Sequence, residues 1–275
     1  MTLDGVDLDR ALQTARETAR RAGALLRDGR RRAFAVDHKG EVDLVTEHDR
    51  RSEALVVEAL SRAFPDHAVV GEEGSAVGRE GSGRPVWLVD PLDGTTNYAH
   101  RMPWYAVSIG LELDGEPLVG VVHAPEMGWE FWAARGRGAH LGDAPIRVST
   151  VPDLDGALVA TGFPYDRRTS PHNNVPELAA VLRRCQGVRR IGVASLDCAL
   201  TAWGRLDAYW EYKLHPWDIS AGALLVLEAG GQVSLADGER YRSGAGDIAA
   251  SNGLVHDELL AALAGARAAA TREPG

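Results

Sequence analysis

The stretch from Trp87 to Asn97, Trp-Leu-Val-Asp-Pro-Leu-Asp-Gly-Thr-Thr-Asn, decides how this chain is interpreted. Its apolar start predicts a strand, and that strand ends in two carboxylates, Asp90 and Asp93. Carboxylate oxygens at a strand end form an anionic site of the kind that Mg²⁺ prefers. If a helix begins directly afterwards, the backbone N–H groups from Gly94 to Thr96 can hold a phosphate. The stretch therefore predicts a metal site beside an anion site, which suits metal-assisted phosphate chemistry.

Composition limits the class of protein. The chain has 275 residues, of which 45% are hydrophobic and 25% charged, enough for one large domain or two intimate halves. The net charge of −9 argues against a nucleic-acid surface. Cys185 and Cys198 lack metal-ligand spacing and are too few for a disulfide framework. Without a secretory signal or a run of about 20 apolar residues, we expect a cytoplasmic protein that binds neither nucleic acid nor membrane.

Hydrophobic periodicity predicts the main elements. Apolar residues at three- and four-residue steps predict a helix over residues 7–30, and a second helix is predicted over Asp49–Phe64. A β-rich stretch follows, with Asp114-Gly115 as a hairpin turn. Strands and helices alternate from about residue 152. We predict two halves: residues 1–151 carry most of the metal ligands, and residues 152–275 carry the substrate-binding residues and Asp218.

Four acidic segments, taken together, resemble the inositol monophosphatase family of Mg²⁺-dependent, Li⁺-sensitive phosphatases. The Trp87–Asn97 run is similar to the family signature. Three more segments match in the expected order, namely residues 43–49 (DLVTEHD), 71–74 (GEEG) and 217–222 (WDISAG), the last running on to residues 228–231. The resemblance covers roughly residues 10–265. It implies an α+β fold, a layered α-β-α-β-α sandwich of the sugar-phosphatase type, and a homodimer.

The resemblance also implies the roles of the acidic residues. It implies in-line attack on the phosphate ester by a metal-activated water, with two or three Mg²⁺ ions in each site. Asp49 and Glu73 would orient that water, with a third, weaker ion, and the Thr95 hydroxyl would help to position it; Glu72 would share in catalysis. The implied metal ligands are Glu72, Asp90, the Leu92 carbonyl oxygen, Asp93 and Asp218. Converging carboxylates repel one another, and burying them unpaired costs several kcal/mol each, so divalent cations would stabilise such a cluster.

The second half is implied to hold the alcohol part of the substrate. Glu211 matches the family position that accepts hydrogen bonds from substrate hydroxyls, and the backbone of Val193 and Ala194 would approach the ring. The implied substrate-binding set is completed by Asp93, Gly94, Thr95 and Asp218. Relatives often carry a hydroxyl residue in place of Val193, so we expect a more apolar pocket that accepts more than one sugar phosphate. Lys213 is open to two interpretations, a solvated side chain or an attraction for a second anionic group, and the first is favoured.

Several functions share these motifs. The first hypothesis is a phosphomonoesterase for a small polyol or sugar phosphate, with inositol 1-phosphate as the default substrate. Histidinol phosphate, fructose 1,6-bisphosphate and 3′-phosphoadenosine 5′-phosphate are alternatives that the metal motifs cannot separate. A hypothesis of another class is a regulatory partner of the transcription machinery. A serine-histidine nucleophile is not expected, because Ser251 and His256 show no evident partners and are interpreted as structural.

Overall fold

The chain folds into alternating layers of helices and sheets. A computed structural model describes residues 2–3, 5–32, 35–38, 44–78 and 81–270, so the predictions at Asp43 lie outside the described residues. The helices are α1 (Leu8–Arg30), α2 (Glu47–Ala63), α3 (Thr95–Ala99), α4 (Val175–Leu182), α5 (Ala194–Ala202), α6 (Pro216–Glu228) and α7 (His256–Ala270). The strands are β1 (Thr2–Leu3), β2 (Val6–Asp7), β3 (Val36–His38), β4 (Leu44–Thr46), β5 (Ala68–Gly71), β6 (Ala76–Val77), β7 (Val86–Asp93), β8 (Ala106–Leu113), β9 (Glu116–Ala124), β10 (Trp129–Ala134), β11 (Ala139–Leu141), β12 (Ala144–Ile146), β13 (Leu158–Thr161), β14 (Gly187–Arg189), β15 (Ala208–Tyr212), β16 (Gln232–Ser234) and β17 (Asp247–Ser251).

Two large sheets form the β layers. The first sheet has the strand order β12-β11-β10-β9-β8-β7-β5-β6, and the second has the order β14-β13-β15-β17-β16. Helices α1 and α2 pack on the outer face of the first sheet, and α5 and α6 fill the space between the sheets. Helices α4 and α7 cover the far face of the second sheet. The predicted α+β class and its α-β-α-β-α layering are therefore confirmed.

Periodicity predicts the long elements well and the short ones poorly. The helix expected over residues 7–30 is α1, and the hairpin turn has the left-handed backbone that its type needs, with φ of 52° at Asp114 and 79° at Gly115. The sequence does not predict β11, β12 or β14, because three residues give too little alternation to detect.

Helix α6 joins the two halves of the chain. It comes from the second half, yet it packs directly on β8 and β9 of the first sheet. Close approach is possible because Gly110 and Gly120 face each other there. A Cβ atom at either glycine would lie 2.6 Å from an atom of α6, Ser220 Oγ in one case and the Ala221 carbonyl oxygen in the other. The halves thus share the central helical layer, and their division at residues 151 and 152 stays a prediction.

Two further expectations concern the cysteines and the membrane. Cys185 and Cys198 are both free thiols, as predicted. Cys198 is fully buried and fills the space left by Gly222, where a Cβ atom would lie 2.5 Å from Cys198 Cβ. This contact sets the close packing of α5 on α6. No helix in the described part of the chain is long and apolar enough to cross a membrane.

Candidate active site

Strand β7 ends in a turn that aims its acidic residues. The register between β7 and β8 shifts between Asp90 and Asp93, a bulge that changes the direction of the side chains. The Leu92 N–H donates to Asp90 Oδ1 at 2.9 Å. Gly94 then takes a φ of 91°, and a Cβ atom there would lie 2.8 Å from Val193 Cγ2. Only glycine fits this turn, after which α3 begins, as the sequence predicts.

Asp93 links the end of β7 to the start of α5. Its Oδ2 accepts hydrogen bonds from the Ser195 backbone N–H at 2.8 Å and from Ser195 Oγ at 2.6 Å. Burial raises the pKa of Asp93 to about 7, although the two bonds from Ser195 lower it, and the charges of Glu72 and Glu211 raise it further. The carboxylate of Asp93 therefore connects the acidic end of β7 to the second half of the chain.

Asp49 and Thr95 form a buried pair. Thr95 Oγ1 lies 2.9 Å from Asp49 Oδ1 and 3.0 Å from the Leu92 carbonyl oxygen. The other oxygen of Asp49 accepts from the backbone N–H of Thr46 at 2.8 Å and from its hydroxyl at 2.5 Å, which closes a capping box at the start of α2. Burial raises the pKa of Asp49, and the hydrogen bonds from Thr46 and Thr95 oppose that shift.

The turn that carries Glu72 and Glu73 is held by a residue that the sequence analysis does not identify. Glu53 lies on α2, is 2% exposed, and accepts hydrogen bonds from the backbone N–H of Glu73 at 2.7 Å and of Ser75 at 3.1 Å. A Cβ atom on Gly71 would collide with Glu53 Oε2. The sequence does contain a signal for this role of Glu53. Glu53 follows Asp49 by four residues, so the two side chains lie on the same face of the helix.

The acidic groups interact electrostatically where these elements meet. Asp218 lies in the first turn of α6, and its Oδ2 accepts from the His215 N–H at 2.7 Å. Burial raises the pKa of Asp90, as do the charges of Glu72, Asp93 and Asp218. Burial is also the main cause that raises the pKa of Asp218, and the negative charge of Asp93 raises it further. The structure thus brings together the predicted acidic residues from β7, the turn after β5, and α6.

This donor set fits a divalent cation. Buried carboxylates whose pKa is raised by burial and by neighbouring negative charges gain from a positive charge between them, and their hard oxygens suit Mg²⁺. Across the described ranges, no three acidic, histidine or cysteine side chains already stand as a complete ligand set. Leu92 N–H, Ser195 and His215 N–H each hold one oxygen of an aspartate instead. The ligand assignment stays a prediction.

The predicted substrate side adjoins the acidic residues. Tyr209 Oη donates to Glu211 Oε2 at 2.7 Å, and the Glu211 carboxylate lies against Gly162, where a Cβ atom would be 2.0 Å from both carboxylate oxygens. Burial raises the pKa of Glu211, and the Tyr209 hydroxyl opposes that shift. The side chain of Val193 is 1% exposed and packs toward Gly94, so it forms the floor beside the turn.

Asp197 is a second acidic residue that the sequence analysis does not single out. It lies on α5, is fully buried, and neither carboxylate oxygen has a hydrogen-bond partner among the described residues. Burial raises its pKa well above the usual range, and the charges of Glu211 and Asp93 raise it further. A charged residue in a helix ordinarily indicates the solvent-exposed face. The sequence of α5 therefore does not predict that Asp197 is buried.

Two expectations about side-chain partners are wrong. Ser251 Oγ lies 2.9 Å from His256 Nδ1, and His256 Nε2 lies 2.9 Å from Ser234 Oγ, so Ser251 and His256 are partners. Both are fully buried, which suits their structural interpretation. Lys213 is not merely solvated, because its Nζ donates to Asp166 at 2.6 and 2.8 Å and to Ser170 Oγ at 2.8 Å. Asp166 already balances its charge, which weakens the alternative of a second anionic group.

Comparison with known proteins assigns the family. The profile of the inositol monophosphatase family matches residues 7–269. The chain is 45% identical to an inositol-1-monophosphatase of Synechocystis over 260 residues, which are 94% of this chain and 90% of that protein. It is 42% identical over 257 residues to the Nus factor SuhB of Pseudomonas aeruginosa, covering 92% of this chain and 95% of the other.

A solved structure agrees with these sequence relationships. The inositol monophosphatase of Anabaena (Nostoc) superimposes with a TM-score of 0.87 at 42% identity, covering 94% of this chain and 97% of that one. The family generally depends on Mg²⁺. Identity at this level over nearly the full length of both chains carries the enzyme class as well as the fold. The chain therefore belongs to the inositol monophosphatase family and is a phosphatase.

Proposed function

We propose that this chain hydrolyses the phosphate monoester of a small polyol or sugar, with inositol 1-phosphate as its best substrate. The observation that carries the proposal is the meeting of Asp90, Asp93 and Asp218 close to the Asp49–Thr95 pair, where burial and neighbouring carboxylate charges raise the pKa of all three. A phosphate ester is an anion, and uncompensated carboxylates would repel it. The cluster is therefore chemically sensible only with bound cations, which a phosphomonoesterase of this family uses.

The proposed ligands are Glu72, Asp90, the Leu92 carbonyl oxygen, Asp93 and Asp218. Bound Mg²⁺ would neutralise the phosphate oxygens and lower the pKa of the attacking water. The chain's own residues set the geometry of the site. Ser195 holds Asp93 through two donors, and the His215 N–H holds Asp218. Glu53 fixes the turn that carries Glu72.

The Asp49–Thr95 pair is proposed to orient the water. Thr46 occupies Asp49 Oδ2, which leaves Oδ1 as the acceptor for the Thr95 hydroxyl proton. With its proton directed to Asp49, Thr95 Oγ1 presents lone pairs that accept a hydrogen bond from the water. Glu73, in the turn held by Glu53, is proposed to complete this outer group.

Glu211 is proposed to recognise the alcohol. Its carboxylate is oriented by the Tyr209 hydroxyl and by contact with Gly162, so its geometry is set before substrate arrives. Asp93, Gly94, Thr95, Val193, Ala194 and Asp218 would form the rest of the substrate contact surface. A carboxylate that accepts hydrogen bonds from hydroxyls contributes about 1.5–3 kcal/mol for each bond.

A phosphate-release screen tests the substrate. About a dozen phosphomonoesters, including histidinol phosphate, fructose 1,6-bisphosphate and 3′-phosphoadenosine 5′-phosphate, are compared with and without Mg²⁺. Glu211→Gln should lower kcat/KM for inositol 1-phosphate roughly 10- to 150-fold. It should leave p-nitrophenyl phosphate nearly unchanged, since that leaving group offers no hydroxyls. An equal loss on both substrates would assign Glu211 to the metal site or the fold instead.

A second candidate rests on the relatives named Nus factor. The similarity to the Pseudomonas aeruginosa protein of that name covers nearly the whole chain, so a regulatory partnership with the transcription machinery is the alternative role. The two roles are separated by a pull-down without added substrate, carried out with the wild type and with the inactive Asp93→Asn variant. Specific capture of transcription proteins by both would favour the second role; no capture would oppose it.

A further inference from the structure

One segment of the second half borders the substrate side and is tied down at both ends. Residues 163–173, here called the strap, connect β13 to α4. The strap is mostly exposed; Tyr165, for example, is 61% exposed. Short turns hold it together, with the N–H groups of Thr169 and Ser170 both donating to the Asp166 carbonyl oxygen, at 3.0 and 2.9 Å. It begins directly after Gly162, where a Cβ atom would lie 2.0 Å from both oxygens of the Glu211 carboxylate, so the path of the strap bears on the alcohol pocket.

The base of the strap is closed by Asn174. This side chain is 1% exposed, and its Nδ2 donates to Thr161 Oγ1 at 2.8 Å and to the Gly162 carbonyl oxygen at 2.6 Å. Its Oδ1 accepts from Trp210 Nε1 at 2.7 Å. Trp210 immediately precedes Glu211, so both ends of the strap are tied to the strand that carries the proposed hydroxyl-binding carboxylate.

Lys213 ties the middle of the strap to the same strand end. Its ammonium group donates to both oxygens of Asp166 and to Ser170 Oγ, which engages all three of its protons. Lys213 follows Glu211 by two residues and precedes Asp218 by five. The ion pair of Lys213 with Asp166 and its hydrogen bond to Ser170, here together called the clasp, therefore join the strap to the segment between the proposed substrate and metal residues.

Formation of the clasp requires an unfavourable backbone conformation at Lys213. Lys213 has a φ of 59°, a left-handed backbone that a side chain such as lysine rarely adopts and that costs on the order of 1–3 kcal/mol. The ion pair is partly exposed, with 37% of the lysine and 51% of the aspartate side chain accessible. Exposed pairs add at most about 1 kcal/mol of stability. Global stability therefore does not account for this residue.

Lysine is a rare residue in this chain, and its chemistry suits the position of Lys213. Only two of its 30 basic residues are lysines, Lys39 and Lys213. A compact ammonium with three donors can meet a carboxylate and a hydroxyl together, whereas the planar guanidinium of arginine favours a flat bidentate partner. The three partners around Lys213 suit the ammonium.

We propose that Lys213 is a positioning residue for substrate selection, because its clasp to Asp166 and Ser170 holds the strap as the outer wall of the alcohol pocket beside Glu211. The inference rests on the proposed function, in which Glu211 binds the alcohol. Through Gly162, which lies against the Glu211 carboxylate, the strap sets the space around that carboxylate, so releasing the strap weakens the binding of polyol phosphates. The phosphate chemistry, which lies on the β7 side, is unaffected.

Kinetics with two substrates test this role. Lys213→Gly removes the side chain and suits the left-handed backbone, so the variant should fold with unchanged or higher stability. Asp166→Asn breaks the same ion pair from the strap. Each variant should raise KM for inositol 1-phosphate about three- to tenfold with kcat within about twofold of wild type. Neither should change kcat/KM for p-nitrophenyl phosphate, and the double variant should lose no more than a single one.

A matched control and a rescue variant sharpen the test. Arg62→Gln removes an exposed ion pair with Glu58 on α2, in the first half of the chain, and should change KM for neither substrate. The charge swap of Lys213→Asp with Asp166→Lys should restore KM to within about twofold of wild type, because aspartate tolerates the left-handed backbone better than most residues.

Native-state proteolysis gives a readout that does not depend on activity. The strap carries the exposed Arg167 and Arg168, and trypsin cleaves after them only when the strap opens. Lys213→Gly and Asp166→Asn should speed this cleavage several-fold, while Arg62→Gln should not. The inference is overturned if KM for inositol 1-phosphate stays at the wild-type value, or if p-nitrophenyl phosphate loses activity in step. If Glu211→Gln keeps its selective effect in that case, the proposed function stands and only the clasp fails.

Discussion

Gly162→Ala tests how tightly the Glu211 carboxylate is placed. A Cβ atom on Gly162 would lie 2.0 Å from both carboxylate oxygens, whereas ordinary van der Waals contact begins at 3.4 Å. The carboxylate must therefore withdraw by about 1.4 Å, the difference of these two distances. Overpacking of this kind costs about 1–3 kcal/mol of stability. A misplacement of about 1 Å in a binding group can cost on the order of 100-fold in rate.

We expect kcat/KM of Gly162→Ala for inositol 1-phosphate to fall about 10- to 100-fold. Activity on p-nitrophenyl phosphate should stay within about twofold of wild type, because the phosphate side does not involve Gly162. Gly265→Ala is the matched control: it lies within α7, no atom lies within 4 Å of its Cβ, and the change should stabilise the helix by about 0.5–1 kcal/mol. Steady-state kinetics and melting curves of both variants are the assay. Wild-type kcat/KM on inositol 1-phosphate in Gly162→Ala would refute the placement of Glu211.

Three further predictions concern the metal site. Millimolar Li⁺ should inhibit without competing with substrate, by replacing a weakly held Mg²⁺ near Asp49, Glu72 and Glu73; complete indifference in an inhibition series would contradict the third-ion assignment. Burial raises the pKa of Asp93 to about 7, so if Asp93 is a metal ligand, protons compete with Mg²⁺ below that pH, and the Mg²⁺ concentration for half-maximal phosphate release should be about tenfold higher at pH 6 than at pH 8; equal values would argue against Asp93 as a ligand. Ser195→Ala removes one of two donors to Asp93 and should raise that Mg²⁺ concentration on the order of tenfold, since a hydrogen bond to a charged group contributes about 1.5–3 kcal/mol; an unchanged Mg²⁺ titration would show that Ser195 does not hold the ligand.

The sequence predicts best what is local. The apolar run of β7 and the acidic residues at its end lie within one short segment, so their association follows from the pattern alone. The same is true of the hairpin at Asp114-Gly115. The long helix α1 is predicted because its buried stripe repeats over many turns, whereas the three-residue strands offer no repeat.

Supporting residues escape prediction because their partners are distant in the chain. Ser195 is 102 residues from Asp93, and Glu53 is 20 residues from Glu73. No pattern within one segment reports such a contact. Lys213 escapes for a different reason, since its role depends on a left-handed backbone and on a strap about 45 residues earlier, and sequence periodicity indicates neither. The acidic residues of the site can thus be predicted from the sequence, whereas the residues that hold them in position are identified only from the folded structure.

Asp93→Asn tests whether the buried acidic cluster is a cation-dependent phosphatase centre. The substitution removes one charge at nearly constant volume and keeps an oxygen to accept from Ser195. Phosphate release from inositol 1-phosphate is measured across a Mg²⁺ series, with a melting curve for each protein and Glu58→Gln, an exposed acidic residue, as the control. We expect turnover to be abolished in a variant that remains folded, with the control unchanged. Near wild-type turnover of Asp93→Asn at saturating Mg²⁺ would contradict it.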